Sequence, residues 1–575
     1  MKRIIYAKKH KPSVMMTLSL CVFVLNIILL PFLGVAPADP WWILYTMPLT
    51  YWISIILTLI ACLMALKFNK TIEAWIYILL LTALLWSIPK LMFSNPIWTD
   101  TFLFLVQCLH IIRYGHVGSV QPESPGLALL ASQLSIIMGT SDEIQATFFS
   151  SLYLPIFTVL AMYLLGIQLL NKRGAFTAIL SFFAIFWFGL YFNKSSFAYA
   201  LHILTLSSLL KSLNHRKPEN SIIFMVIFIA LTITYPSSIL IPLALMGMAL
   251  LMFVLSIAKS SKFIASYATF KTTTTTFLAT SVIWISWHIW LGPTSVNLII
   301  AIKESLSELI SGEPVSEAIG VFYSPNYTPQ YLPIVNLRLF LSLGTLLLGV
   351  VLSFIYFIIS THKLVPFFMS SLMLLLFVAG IYFPLGGRGI HGLGIRAVFL
   401  SIPLTAVFIA LFIEQSEIFP KFLKNLCKLL RIILLTMVCL FMLIIPLLMY
   451  SHMAFVYPPN SDIVVHEFIM RYGVGYAAIL GGHTITDYYM FKFNTNLSPY
   501  PFHEDVGPGD LLTIDKRNYN IIVTTFRMYT KDAFVEYKPN LISCMENLRS
   551  RLMVNSSYYK VYQADNWHEA YFKAN

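Results

Sequence analysis

Charged side chains are scarce in this chain, so the few that stand between long apolar runs are the ones that could do chemistry. Asp100 follows Pro96-Ile97-Trp98-Thr99, and Glu123 sits in the turn Gln121-Pro122-Glu123-Ser124-Pro125-Gly126. Between them runs Ile112-Arg113-Tyr114-Gly115-His116. Far downstream, Gly386-Gly387-Arg388-Gly389-Ile390-His391-Gly392-Leu393-Gly394-Ile395-Arg396 leads into an apolar run containing Pro403, and Arg338 opens another such run. A carboxylate at the edge of an apolar medium can take a proton from a hydroxyl. The forked donors of a guanidinium suit phosphate or carboxylate oxygens. Each group also has a plainer use. Asp100 suits a helix cap, Glu123 a turn, Arg338, Arg388 and Arg396 the anchoring of lipid headgroups, and His116 and His391 structural hydrogen bonds.

The elements that must position these residues are membrane helices. Of 575 residues, 58% are apolar and 11% are charged, whereas a soluble globular domain carries about 25% charge. That excludes soluble, disordered and disulfide-stapled classes. Residues 451–575 hold 11 basic and 12 acidic side chains, which leaves a net +14 on residues 1–450. Basic charge beside apolar spans points to cytoplasmic loops and anionic membrane lipids as partners, and away from nucleic acid. Cys21, Cys62, Cys108, Cys427, Cys439 and Cys544 show no metal spacing. Free thiols are expected, with a Cys108–Cys544 bridge conceivable.

Thirteen apolar segments are long enough to cross a bilayer or form half of a hairpin, at 14–34, 42–66, 73–92, 146–170, 175–191, 197–213, 220–234, 238–257, 275–292, 334–359, 364–382, 397–415 and 430–450. With a cytoplasmic amino terminus, every inner loop is basic, from Lys67/Lys70 through Lys172/Arg173 to Lys421/Lys424/Lys428. The outer loops then hold Asp100, Glu123, Glu304 and Glu308. Leu127–Met138 is too short to span and is expected to lie in the outer interface or to form a re-entrant helix. The fold class is therefore a polytopic α-helical membrane protein of about 13 transmembrane helices, multi-pass in the plasma membrane, with an extracytoplasmic carboxyl terminus. Residues 1–71 give two additional helices and 72–450 the main membrane domain with outer loops 93–145 and 292–333, the second of lid type. Residues 451–575 form a small α/β domain, with strands at 463–465, 477–480 and 519–523 and helices at 468–470 and 541–552. His202 and His288 fall inside spans, where a neutral, hydrogen-bonded state is expected.

The order of these features resembles the C-type (GT-C) superfamily of integral-membrane glycosyltransferases, in particular protein O-mannosyltransferases and lipid A aminoarabinose transferases. An Asp early in the first outer loop (Asp100), a Pro-containing turn (Pro122–Gly126) and a short in-plane helix (Leu127–Met138) carry the likeness. So does an Arg heading a late span with Pro seven residues on (Arg396, Pro403). The resemblance implies a sugar donor linked to polyprenyl phosphate, and a protein, lipid or glycan acceptor. Asp100 would be the base, Glu123 a secondary positioning acid, and Arg388 and Arg396 the phosphate clamps. Arg338, His116 and His391 would be further substrate-binding candidates. The turn Tyr191-Phe192-Asn193-Lys194 lacks the second acid that many members carry, and the tail lacks the WWDYG-like signature of oligosaccharyltransferases. No metal site is assigned; the residues neither imply a cofactor nor exclude a divalent cation. The competing classes are a flippase or transporter of a lipid-linked or charged solute, and a surface-polysaccharide polymerase or ligase.

Overall fold

The computed structural model describes residues 2–29, 32–33, 41–93, 100–117, 124–215, 217–257, 267–290, 332–359, 364–385, 391–414 and 424–450. In the tail it describes 476–480, 492, 498–501, 519–525, 558–563 and 568–573. The helices are α1 (Lys2–Leu29), α2 (Trp42–Thr46), α3 (Leu49–Lys67), α4 (Thr71–Thr82), α5 (Ile88–Leu91), α6 (Asp100–Tyr114), α7 (Gly126–Met138) and α8 (Asp142–Phe148). Next come α9 (Leu154–Ile167), α10 (Lys172–Ile185), α11 (Lys194–His215), α12 (Pro218–Thr234), α13 (Leu240–Ile257) and α14 (Tyr267–Trp290). They end with α15 (Leu332–Ile359), α16 (Leu364–Leu385), α17 (His391–Glu414) and α18 (Lys424–Tyr450). Among the described residues six helices are long and apolar enough to cross a membrane.

Burial ranks these helices. The apolar window of α17, Ala397–Glu414, is 94% buried and that of α15, Asn336–Ile358, only 33%. α17 is thus the axis of the bundle and α15 a peripheral helix. At the end read as cytoplasmic, Arg173 Nε meets Glu414 Oε2 at 3.0 Å and Thr177 Oγ1 donates to Glu414 Oε1 at 3.0 Å, tying α10 to α17. At the amino end, Asn26 Nδ2 donates to Ser54 Oγ at 2.7 Å and Thr50 Oγ1 to Asn26 Oδ1 at 2.8 Å, which fastens α1 to α3.

Prolines explain where the helices depart from the apolar segments. The run 42–66 is divided because the residue before a proline is pushed to extended backbone. Met47, at φ −74° and ψ 127°, separates α2 from α3 ahead of Pro48. The first core span and the next one each contain a π-helical turn, Ala83–Ser87 and Phe149–Tyr153. In both, the residue after the turn bonds five residues back, Ile88 to the Ala83 carbonyl and Leu154 to the Phe149 carbonyl. In both, the next residue is proline, Pro89 and Pro155, with no N–H to continue the ladder. The run 175–191 also ends early, since α10 stops at Ile185 and the chain turns through Phe186–Asn193. Gly189 is needed in that turn, because a Cβ there would stand 2.1 Å from the Tyr191 hydroxyl oxygen.

The tail contains a five-stranded sheet, β1 (Tyr476–Leu480), β2 (Ser498–Pro501), β3 (Tyr519–Thr525), β4 (Tyr558–Gln563) and β5 (His568–Lys573), in the order β2-β1-β3-β5-β4. β1 pairs in parallel with β2 and β3, while β5 pairs antiparallel with β3 and β4. The expected strands at 477–480 and 519–523 coincide with β1 and β3. The expected strand at 463–465 and both tail helices, 468–470 and 541–552, lie outside the described residues. Cys108 is buried, with its Sγ donating to the Ala128 carbonyl at 3.7 Å, and Cys544 lies outside the described residues.

Candidate active site at the head of the Asp100 helix

Asp100 is the first residue of α6. The next residue holds that helix end in place: Thr101 Oγ1 donates to the Phe192 carbonyl at 3.3 Å, and Thr101 is buried. The turn that receives it is internally fastened. Tyr191 N–H donates to Ser196 Oγ at 3.1 Å, and Ser196 N–H donates to Asn193 Oδ1 at 2.7 Å, so Asn193 caps α11. The turn at which the sequence shows no carboxylate therefore uses an amide as a helix cap.

Beneath the turn lies Lys90, only 1% exposed. Its Nζ donates to the Ser150 carbonyl at 2.7 Å and to the Leu190 carbonyl, and stands 5.5 Å from the centre of the Tyr191 ring. Ser87 Oγ donates to the adjacent Ser151 carbonyl. The carbonyls left without ladder donors ahead of Pro155 are thus served by Lys90 and Ser87 of the preceding span. The corresponding carbonyls ahead of Pro89 are served by tyrosines: Tyr51 donates to Leu84 at 3.0 Å, and Tyr450 to Leu85 at 2.9 Å and to Trp86 at 3.3 Å.

The same turn reaches the arginine side of the bundle. Trp187 packs against Phe399 of α17, with ring centroids 5.3 Å apart, and Phe188 against the same ring at 4.4 Å. Phe399 is one helical turn after Arg396. The Arg338 guanidinium lies 5.1 Å over the Trp187 ring, and Trp187 Nε1 donates to Ser342 Oγ at 3.1 Å. Arg338 Nε donates to the Leu448 carbonyl at 2.9 Å, Tyr191 Oη to Met449 at 3.3 Å, and Trp42 Nε1 to Tyr450 at 2.9 Å. Three side chains from three parts of the chain thereby cap the last carbonyls of α18, where the membrane part meets the tail.

The structure brings the α6 end carrying Asp100, Arg338 and the first turns of α17 around one aromatic turn, 187–193. Arg396 and His391 lie in those turns of α17; their side chains, and that of Asp100, fall outside the described residues, as do Glu123 and Arg388 and the loop 292–331 entirely. His116 is elsewhere. It follows the far end of α6, a 15-residue helix that spans about 22 Å, and its ring packs 4.9 Å from His110 on the exposed surface. Nearby, Arg113 donates to the backbone carbonyl of Lys492 in the tail. His202 and His288 are buried, and among the described residues neither ring nitrogen of either has a hydrogen-bond partner. That departs from the hydrogen-bonded state expected of them. Among the described residues no three His, Cys, Asp or Glu side chains form a metal-binding group.

Sequence reasoning missed Lys90, Ser87, Tyr191 and Tyr450. The usable signal was a lysine inside one apolar span together with a proline inside the next, because a buried cation must find carbonyls and Pro155 strands them within its reach.

No family model matches the sequence, and no curated protein does either. Among solved structures, the oligosaccharyltransferase of Archaeoglobus fulgidus tethered with an acceptor peptide is similar over 89% of this chain and 75% of that chain, at 12% identity and a TM-score of 0.54. AglB from the same organism, in complex with an inhibitory peptide and a dolichol-phosphate, matches over 88% and 74%, at 11% identity and 0.51. The chain has the GT-C fold. ArnT from Cupriavidus metallidurans bound to undecaprenyl phosphate covers 82% of this chain at a TM-score of 0.45, too distant to support more. The GT-C likeness is one of architecture. The WWDYG-like signature is absent from the tail, so sharing a fold with an oligosaccharyltransferase does not carry that enzyme's acceptor with it.

Proposed function

We propose that the protein is a glycosyltransferase that moves a sugar from a polyprenyl-phosphate-linked donor to an acceptor hydroxyl at the outer membrane face. The observation that carries this reading is the GT-C fold, shared over most of the chain with an enzyme that has been captured in complex with dolichol-phosphate. The convergence of the Asp100 helix, Arg338 and the head of α17 on one turn supports it. In a single displacement, Asp100 takes the proton of the acceptor hydroxyl. The acceptor oxygen attacks the anomeric carbon, and the bond from that carbon to the phosphate oxygen breaks with its electron pair on the phosphate. A phosphate leaving group needs fixed positive charge more than a second acid, which gives Arg388 and Arg396 their role as clamps. Glu123 positions the acceptor and His391 is a further contact, while His116, past the far end of α6, stands apart from this site. Arg338 holds the end of α18 and stands beside the clamp. About 13 spans, a cytoplasmic amino terminus and an extracytoplasmic α/β tail complete the reading, with loop 292–333 as the lid.

The test is sugar release from a polyprenyl-phosphate donor by purified protein in detergent, where a flippase has no second compartment to report on. Asp100→Asn keeps size and hydrogen bonding but removes the basic oxygen, so transfer is expected to fall about 10²- to 10⁴-fold with donor binding retained. Near-normal turnover in that variant would make Asp100 a helix cap and nothing more. Arg388→Lys and Arg396→Lys should each weaken donor binding about tenfold or more, since lysine cannot reproduce a two-pronged contact.

A further inference from the structure

We infer that Lys90 is a positioning residue for this transfer, holding the turn 190–193 against which the Asp100 end of α6 is docked; the inference rests on the glycosyltransferase reading above. The path is short. Lys90 Nζ donates to the Leu190 carbonyl, and two residues on, the Phe192 carbonyl accepts from Thr101 Oγ1 at 3.3 Å. Between them the Tyr191 ring lies 5.5 Å from Nζ, and its amide is held by Ser196. The turn is therefore gripped from below by Lys90 and from above by the residue that follows Asp100.

Packing alone gives no reason for a lysine here. A methionine has similar length and no ammonium to desolvate, and burying a cation inside a span is costly unless its donors are used. Lys90 has three donors and directs them to a carbonyl stranded by Pro155, to a carbonyl in a turn with no regular structure, and toward an aromatic face. No carboxylate pairs with it among the described residues. One side chain thus joins the first core span, the π-helical turn Phe149–Tyr153 and the turn on which Thr101 at the head of α6 docks. A general base works only within a narrow range of distance and direction, so a loosened turn should lower turnover while leaving donor affinity in place.

The experiment compares wild type, Lys90→Met, Thr101→Val and the double variant, with Thr101→Val as the mild change that keeps shape and leaves the bundle folded. Hydrogen exchange reads the grip without any activity. Lys90→Met should raise exchange at the amides of Tyr191 and Ser196 and in the first turn of α6 at least tenfold, while α10 and the rest of α11 keep their wild-type rates. Transfer from radiolabelled farnesyl-phosphate hexoses to water or an added alcohol reads the consequence. In each single variant kcat should fall about tenfold with the donor KM within twofold of wild type, and the double variant should be no slower than the worse single one, because both cut the same path. Unchanged exchange at the turn, an unchanged kcat in either variant, or losses that multiply in the double variant would each overturn the inference. If wild-type protein transfers none of these sugars, the enzyme reading fails on its own, and the exchange data still decide whether Lys90 grips the turn.

Discussion

The first core span and the one after it are interrupted alike and repaired from different places. Each has a five-residue π-helical turn followed, one residue later, by proline. In the first, the stranded carbonyls of Leu84 and Leu85, and the Trp86 carbonyl beside them, accept phenolic hydroxyls from Tyr51 on α3 and Tyr450 at the end of α18. In the second, the carbonyls of Ser150 and Ser151 accept from Lys90 and Ser87, both on the first span itself. Non-helical backbone at membrane depth survives only where protein or a cavity satisfies it. The difference therefore shows what each break is coupled to. The first ties the core to the preceding helices and to the joint with the tail. The second ties the core to the turn that seats Asp100.

This contrast makes an ordered set of stabilities expected in detergent. Lys90→Met strands two carbonyls and should cost the most, about 2–4 kcal/mol, from the usual penalty for an unsatisfied buried acceptor. Tyr450→Phe leaves Leu85 and Trp86 without a hydroxyl and should cost about 1–2 kcal/mol, and Tyr51→Phe about 1 kcal/mol, since single interhelical hydrogen bonds in membranes average below 1 kcal/mol. Denaturant unfolding in one detergent at one protein concentration gives the order. A Tyr51→Phe variant less stable than Lys90→Met would reverse the comparison and place the critical repair outside the core. Activity should separate the two breaks further, with Lys90→Met slowing transfer at temperatures where it is fully folded and Tyr51→Phe leaving transfer within about twofold.

Much of the helical fold was legible because apolar runs are strong signals, and because Gly126 opens a 13-residue helix too short to cross a bilayer. A glycine is required at that opening: a Cβ on Gly126 would lie 2.2 Å from Thr234 Oγ1, where α7 meets the end of α12. What the apolar pattern hid was the breaks. Hydropathy sees Ala83–Leu91 and Phe149–Ile167 as uninterrupted, since a proline-stranded carbonyl leaves no trace in side-chain polarity. In the tail, β1 and β3 were readable as apolar runs. β2, Ser498-Pro499-Tyr500-Pro501, was not, because two prolines argue against a strand except at a sheet edge, and the edge is where it lies. β4 and β5 mix aromatic and charged residues and lack an apolar run altogether. At the site, residue type singled out Asp100 and the arginines, but their meeting around turn 187–193 depends on aromatic packing between distant helices, which spacing does not encode.

The smallest expected effect is also the sharpest test of why these repairs exist. If Ser87 matters because Pro155 has no N–H to offer the Ser151 carbonyl four residues earlier, then restoring that N–H should make Ser87 dispensable. Ser87→Ala alone removes the donor to Ser151 and should cost about 1 kcal/mol. In a Pro155→Ala background, the new amide can close the ordinary helical bond to Ser151, and the same Ser87→Ala change should then cost about 0.3 kcal/mol or less, with the difference read from a double-mutant cycle. An equal cost in both backgrounds would mean that Ser87 is held for packing against Phe149–Tyr153 rather than for its hydroxyl. Lys90 supplies the control. Its second contact is to the Leu190 carbonyl in the turn, which no helix ladder can reach, so Pro155→Ala should not relieve the slow transfer of Lys90→Met even where it recovers part of the lost stability.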